Sequence, residues 1–400
     1  MPSATGWWGS SGASAPGSAT PVPALDDPQQ IRQAGRELLS LALIDSRNAL
    51  LTLLARDESP AALRLAAHAG HFQEHWLGCH LQRQRGEACD PGAPRLASIQ
   101  PQMAAWLADE DAAPTPETLR AYLADTLEVT LDLLAASAET DAALHYFRAS
   151  LLHEDRLCET LVARAGLGNP PGRAHREPIC LPAQRWLMGG TPGQTGQTGL
   201  KPHNERGAEA VQLPEFEIDA QLVSWAQYLE FAEDGGYDRA ELWTAPGWAW
   251  VQDQGRRAPR GVEQMRGGVL LRRSASADLQ RAALTQAVLH VSRHEAQAWC
   301  RWAGRRLPTE PEWEVAVHRA LQQGLVWGDA FEWVAGSARA WADAGPVAPG
   351  ELDVPPPAGS QGVLRGASFA TRRRWRHPKA RRFMPPGHDH AYCGFRSCAA

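Results

Sequence analysis

The run His290-Val291-Ser292-Arg293-His294-Glu295-Ala296-Gln297-Ala298-Trp299-Cys300-Arg301-Trp302-Ala303-Gly304-Arg305-Arg306-Leu307-Pro308-Thr309-Glu310-Pro311-Glu312-Trp313-Glu314 decides how this chain is read. It spells an amphipathic helix, a break and a second helix. His290, His294, Ala298 and Trp302 recur at helical spacing, as do Ala296, Trp299, Cys300 and Ala303. Gly304 stands where a residue past a helix end adopts the left-handed conformation, and Pro308 stops any continuation. Thr309 then caps the next helix, with Pro311 and Glu312 in its first turn. Taken alone, the stretch describes a packed helical hairpin, in which Cys300 reads as a small buried hydrophobe.

Outward from this stretch the chain has two textures. Over residues 28–168, Leu- and Ala-rich segments near 31–56, 60–85, 116–136 and 141–165 carry apolar residues three and four apart. Turn signals separate them at Asp57-Glu58-Ser59-Pro60, Cys89-Asp90-Pro91-Gly92 and Ala113-Pro114-Thr115-Pro116. These segments predict an up-down four-helix bundle, whose interior can host a metal site built from facing side chains. After Gly168-Asn169-Pro170-Pro171-Gly172, glycine and proline become dense and strands short, as in 211–219. Twelve of the sixteen tryptophans lie in this second part, which predicts a loop-rich α+β domain over 169–400 with aromatic pins. Gly247-Trp248-Ala249-Trp250 and Val326-Trp327-Gly328-Asp329 are not periodic enough for propeller blades.

Composition narrows the function classes. Four hundred residues exceed what one core usually serves, so two domains are expected. A formal charge of −5 and a pI near 6.3 argue against a dedicated nucleic-acid partner. Seven cysteines without metal-knuckle spacing fit a reduced, cytoplasmic compartment better than a disulfide framework. Residues 1–27 are rich in Ser, Ala, Gly and Pro and read as a disordered leader rather than a signal peptide. No apolar run reaches membrane-spanning length, so no membrane partner is expected.

Two helical segments carry the candidate chemistry. His68, His71 and His75 share one face of the second helix, and His153-Glu154-Asp155-Arg156-Leu157-Cys158-Glu159 lies on the last. A helical histidine is most often packed or solvated, and a shared face makes metal ligation the competing reading. Arg372, Arg373, Arg374, Arg376, Arg381 and Arg382 form a cationic run with two readings. One is a solvated loop with structural ion pairs. The other is a wall for an anionic substrate group, for which an arginine fork is well shaped.

Joined to Val363-Leu364-Arg365-Gly366-Ala367-Ser368-Phe369 and Gly394-Phe395-Arg396-Ser397-Cys398, the opening stretch resembles the formylglycine-generating-enzyme fold, a C-type-lectin-like architecture. The reactive cysteine pair of those enzymes has no match in 371–382, and Cys393 and Cys398 read as structural, so sulfatase activation is not expected. A helical bundle followed by such a domain resembles the nonheme-iron sulfoxide synthases of ergothioneine biosynthesis and, more closely, the selenoneine synthases. The likeness is carried by Phe72-Gln73-Glu74-His75-Trp76, Tyr146-Phe147, His153-Glu154-Asp155, Val223-Ser224-Trp225-Ala226-Gln227-Tyr228-Leu229-Glu230-Phe231, Gly235-Gly236-Tyr237-Asp238 and His377-Pro378-Lys379-Ala380-Arg381-Arg382-Phe383. It implies a DinB-like bundle and an active site in the cleft between the two parts. It also implies an Fe(II)- and O₂-dependent joining of a selenosugar or thiol donor to the imidazole of hercynine.

Iron in that family is held by a histidine of the second helix and two more in an H-x-x-x-H-x-E pattern on the fourth. His68 matches the first and His153 the second, whereas Leu157 stands in place of the third. Glu159 matches the trailing glutamate, and His71, one turn from His68, is the candidate replacement ligand. For hercynine, whose carboxylate suits the anion-wall reading of the arginine run, Arg381 and Arg382 are the candidates. Trp375, Phe383 and Tyr392, with Phe369, are candidates for an aromatic cage round the trimethylammonium group. The family's general acid, a tyrosine, is not placed. Two readings from other classes stand beside this one: a metal-free or catalytically inactive paralogue that binds a small molecule or regulates a partner, and a plain ligand-binding module on the lectin-like fold.

Overall fold

The computed structural model describes residues 24–81, 98–109, 112–189, 199–272, 278–341, 344–347, 349–354, 359 and 361–400. Residues 1–23 of the expected leader lie outside them, and its last four residues are already structured. Ala24–Asp26 form a 3₁₀ turn, and Asp27 caps α1 (Pro28–Arg32) by accepting from the backbone N–H groups of Gln29 and Gln30.

The helices of the first part are α2 (Arg36–Leu54), α3 (Pro60–Gln73), α4 (Met103–Ala108), α5 (Pro116–Ala135) and α6 (Asp141–Ala165). Ser59, Thr115 and Thr140 cap α3, α5 and α6, with proline opening the first two. Gly166 closes α6 at φ 63°, the left-handed conformation glycine supplies without a steric penalty. α2, α6, α3 and α5 pack in a ring, so the four long helices form a bundle. One apolar cluster joins Leu39, Leu43, Phe147 and Leu151, and a second joins Leu50, Leu54, Leu63 and Leu161. Gly70 sets how closely α3 and α5 approach, since a Cβ there would stand 2.6 Å from the Tyr122 ring. Beyond Gln73, α3 runs on as a π-helical segment, Glu74–Leu81.

The second part adds α7 (Trp225–Glu233), α8 (Ala245–Asp253), α9 (Arg293–Trp302) and α10 (Glu310–Arg319). Its strands are short: β1 (Ile179–Leu181), β2 (Gln184–Gly189), β3 (Ala208–Leu213), β4 (Phe216–Ile218), β5 (Val262–Gln264), β6 (Leu270–Arg272) and β7 (Leu279–Arg281), then β8 (Arg305–Arg306), β9 (Phe331–Trp333), β10 (Gly362–Gly366), β11 (Arg381–Met384), β12 (Cys393–Gly394) and β13 (Cys398–Ala399). They pair as β1-β4-β13-β8, β11-β10-β9-β12, β2-β3 and β5-β6-β7. The strand expected over 211–219 is two strands, because Pro214 has no N–H to donate to a ladder. Aromatic residues fill the main core, with Trp225, Tyr228, Phe231, Trp299, Trp333 and Phe395 packed together. No disulfide joins the described cysteines, and Cys300, Cys393 and Cys398 are buried.

The helix–break–helix expectation needs one correction. Ser292 and Glu295 form a capping box that fixes the start of α9 at Arg293, so His290 lies outside the helix, at φ 60°. Gly304 takes φ 64°, and Thr309 with Glu312 forms the box that opens α10.

Glu295 is also the end of a buried chain: the Tyr237 hydroxyl donates to its Oε1 at 2.7 Å, and the Tyr228 hydroxyl lies 3.0 Å from that of Tyr237. Burial raises the Glu295 pKa to about 7, against the hydrogen bonds from Tyr237 and Ser292. A raised carboxyl pKa means the native state keeps a proton the unfolded chain has lost. The associated stability is fully present below 4.5, the ordinary pKa of the carboxyl in the unfolded chain, and is lost as pH rises toward 7. Glu295→Gln should therefore flatten the pH dependence of unfolding free energy between pH 5 and 7, measured by urea titration at several pH values. A variant whose profile parallels the wild type would place the Glu295 pKa back in the ordinary range.

Candidate active site at the bundle–domain junction

Helix α6 distributes its side chains in four directions. Glu154 turns into the bundle, where Arg47 of α2 forms a fork with it at 3.0 and 2.9 Å, and Gln73 of α3 joins them. Asp155 faces the second part. It receives both guanidinium arms of Arg374 at 2.6 and 2.9 Å, the indole N–H of Trp375 at 2.7 Å and the hydroxyl of Ser46. Arg156 pairs with Asp353 through two bonds of 2.8 and 2.6 Å. Glu159 accepts from Ser368, Thr371 and Arg382, the last at 2.5 Å. One helix thus ties the bundle to two loops and a strand edge of the second part by charged hydrogen bonds, those to Asp155 buried and those of Arg156 and Arg382 half-buried.

His153 lies among these, stacked on Phe72 with ring centroids 4.6 Å apart. Burial, together with the nearby His68 and Arg156, brings its pKa down to about 4, so the ring is neutral at neutral pH. His68 sits opposite on α3 at the surface. Partial covering of its ring and the charges of His71 and Arg64 lower its pKa as well.

The third ligand is where the expectation fails. Leu157 is 8% exposed and packs in the bundle core with Ala62, Leu63 and Ala66. His71 does not turn toward His153. It lines a shallow cavity with Glu74, His75, Cys79 and Met103, its ring 6.1 Å from that of His75. Among the described residues no three His, Cys, Asp or Glu side chains converge as a metal site would require. The junction supplies two imidazoles, and two do not fit a three-histidine iron centre.

The residues expected to cage hercynine serve other ends. Arg381 is fully buried, with its guanidinium held by Glu310 at 2.7 and 2.9 Å. Trp375 is spent on Asp155, and Arg382 on Glu159, with its guanidinium 4.1 Å over the Phe331 ring. Phe383 packs beneath Arg381, and the Tyr392 hydroxyl donates to the carbonyls of Val162 and Leu167 at the end of α6. Arg374 and Arg376 are likewise bound to Asp155 and to loop carbonyls. The cationic run is mainly an internal fastening, because each buried guanidinium needs a full set of acceptors. Trp375→Phe, which keeps a π-face but removes the N–H, is expected to cost about 1.5–3 kcal/mol of stability. A variant as stable as the wild type, measured by denaturant unfolding, would free Trp375 for a ligand role.

Sequence reasoning missed the Arg47–Glu154–Gln73 cluster. Its signal was present: Arg47 stands at a core position of α2, between Leu43 and Leu50.

Residues 172–331 match the sulfatase-modifying factor enzyme 1-like domain family. A hercynine oxygenase of Mycolicibacterium thermoresistibile is 30% identical over 331 residues, covering 74% of this chain and 70% of that protein. The chain belongs to the hercynine oxygenase family. Because 74% of the chain exceeds everything from Gly172 onward, the kinship to this family reaches into the helical bundle. Hercynine oxygenases of Mycobacterium tuberculosis and Mycolicibacterium smegmatis are 28% identical over 387 residues and 33% over 261 residues. These matches cover 80% and 62% of the chain, and 88% and 59% of the two relatives. Among the described residues no helix is long and apolar enough to cross a membrane.

Proposed function

We propose that this protein is an oxidoreductase acting on hercynine, of the sulfoxide- and selenoxide-synthase type that joins sulfur or selenium to the imidazole ring with O₂ as oxidant. What supports this reading is the kinship to hercynine oxygenases across both the bundle and the second part. His68 and His153, two neutral imidazoles on facing helices, are the side chains we assign to metal binding. Fe(II) is the cofactor that chemistry calls for, and the described residues offer it two of three imidazoles. A selenosugar or thiol is the proposed donor, and the DinB-like ancestry of the bundle belongs to the same reading.

A second reading is favoured by one observation. Leu157 is packed in the core as an apolar residue, in one buried cluster with Ala62, Leu63 and Ala66. A metal-free paralogue that binds hercynine or a related betaine, without oxidising it, fits that packing.

The test is iron content after anaerobic reconstitution with Fe(II), combined with mass spectrometry of hercynine incubated with O₂ and either a thiol or a selenosugar. Bound iron and a C–S or C–Se product carry the first reading. Hercynine binding without iron or product carries the second. No hercynine binding at all overturns both.

A further inference from the structure

A cavity of about 480 Å³ lies where the end of the bundle meets the second part, within the size range of small-molecule sites. The bundle contributes Asp57 and Ser59 ahead of α3 and Arg164 from the last turn of α6. The facing wall is made by Arg260, His290, His390 and Tyr392. It is separate from the junction of His68 and His153. Ser59 precedes His68 by nine residues, and Arg164 follows His153 by eleven, which places the cavity about 14–16 Å further along the two helices at 1.5 Å per residue.

Its lining is electropositive. Among the described residues, three arginines, Arg164, Arg260 and Arg272, face one carboxylate, Asp57. Arg272 is neutralised by Glu263. Behind the wall, Asp389 is shared between Arg256 at 2.5 Å and Arg260 at 2.8 Å, so two guanidiniums answer one carboxylate. Arg260 also lies 3.2 Å from Nε2 of His390. The Arg164 guanidinium has no hydrogen bond or ion pair among the described residues, and its charge reaches His390.

His290 adds a fixed acceptor. Its Nδ1 donates to the Asp389 carbonyl at 3.0 Å, which leaves the lone pair on Nε2, and its ring packs 5.2 Å from that of Tyr392. Burial lowers its pKa, so the ring stays neutral. The backbone holds it at φ 60°, a conformation rare outside glycine and concentrated at functional sites.

We propose that this cavity is a binding site for a small organic anion, its carboxylate or phosphate taken by Arg164 beside Arg260 and a hydrogen-bond donor of the same molecule taken by His290. An unpaired guanidinium, a second one only half neutralised and an oriented imidazole lone pair in one cavity supply that recognition.

Calorimetry on the full chain with two probes, inorganic phosphate and glutamate, tests the site without depending on metal or turnover. Binding of at least one probe is expected, weaker as salt rises, and reduced about tenfold or more in Arg164→Gln. Arg164 is exposed on the last turn of α6, so an unchanged melting temperature should accompany the loss. His290→Asn is a second variant, since asparagine tolerates the left-handed backbone while losing the imidazole acceptor, and it too should weaken binding. Heat from phosphate alone or glutamate alone identifies the head group. Neither probe binding, or both variants binding as tightly as the wild type, overturns the proposal. Hercynine turnover can fail while this site binds its anion, and the reverse, so the two results are separable.

Discussion

Replacing Arg47 with alanine is expected to destabilise the protein by about 3–5 kcal/mol, the usual result of removing one partner from a buried ion pair. Arg47 is 2% exposed and Glu154 1%, so the carboxylate left behind has no water to turn to. Burial already pushes the Glu154 pKa up, against the pull of Arg47. Without that pull, the group must take a proton or open the helix packing. Gln73 and the Leu123 carbonyl lose their donor as well. The double variant Arg47→Met with Glu154→Leu should recover most of the loss, because apolar side chains of similar volume avoid desolvating either charge. Urea unfolding of both variants is the measurement. A single variant within about 1 kcal/mol of the wild type would show that the cluster is hydrated and that the bundle does not depend on it.

The second large effect concerns iron. Leu157→His places an imidazole one turn beyond His153 on the same helical face. It is expected to raise Fe(II) affinity by about tenfold or more, since a two-imidazole site becomes a three-imidazole one. Without metal the variant should be less stable, by about 1–3 kcal/mol, because a polar ring replaces a side chain packed against Ala62, Leu63 and Ala66. Saturating Fe(II) should return that stability, at about 2.7 kcal/mol for metal at a hundred times its Kd. Anaerobic metal titration and melting with and without Fe(II) read both effects. Unchanged affinity, with stability lost and not regained, would mean that position 157 faces only the core and that the metal-free reading holds.

Much of the fold was legible locally. Ser59, Thr115, Thr140 and Thr309 each cap a helix through a backbone N–H no more than three residues away, so neighbouring letters carry the whole interaction. The apolar spacing of the long helices follows from the 3.6-residue turn alone, and it placed all four helices of the bundle. Where two local signals competed, the shorter-range one decided. Helical periodicity extended back to His290, but the Ser292–Glu295 box set the boundary at Arg293.

The candidate site was legible by residue type and not by partner. His68 and His153 were found because a face and a family pattern single them out, and Leu157 was visible as a departure from that pattern. What Arg374, Trp375, Arg381 and Arg382 do was not readable. Their acceptors, Asp155, Glu310 and Glu159, lie between 71 and 223 residues away in the chain. A run of arginines reads the same whether its charges face a ligand or a buried carboxylate, since the sequence carries charge but not the burial that fixes a partner. The sequence by itself therefore determined the helices, the caps, the α+β texture and the candidate imidazoles, all set by interactions within a few residues. Only the tertiary structure decided that the arginine run fastens the bundle to the second part, that Leu157 belongs to the core, and that Arg164 and His290 share a cavity. Those outcomes depend on which surfaces meet when the chain closes on itself, and on the cost of leaving a charge without a partner where they do.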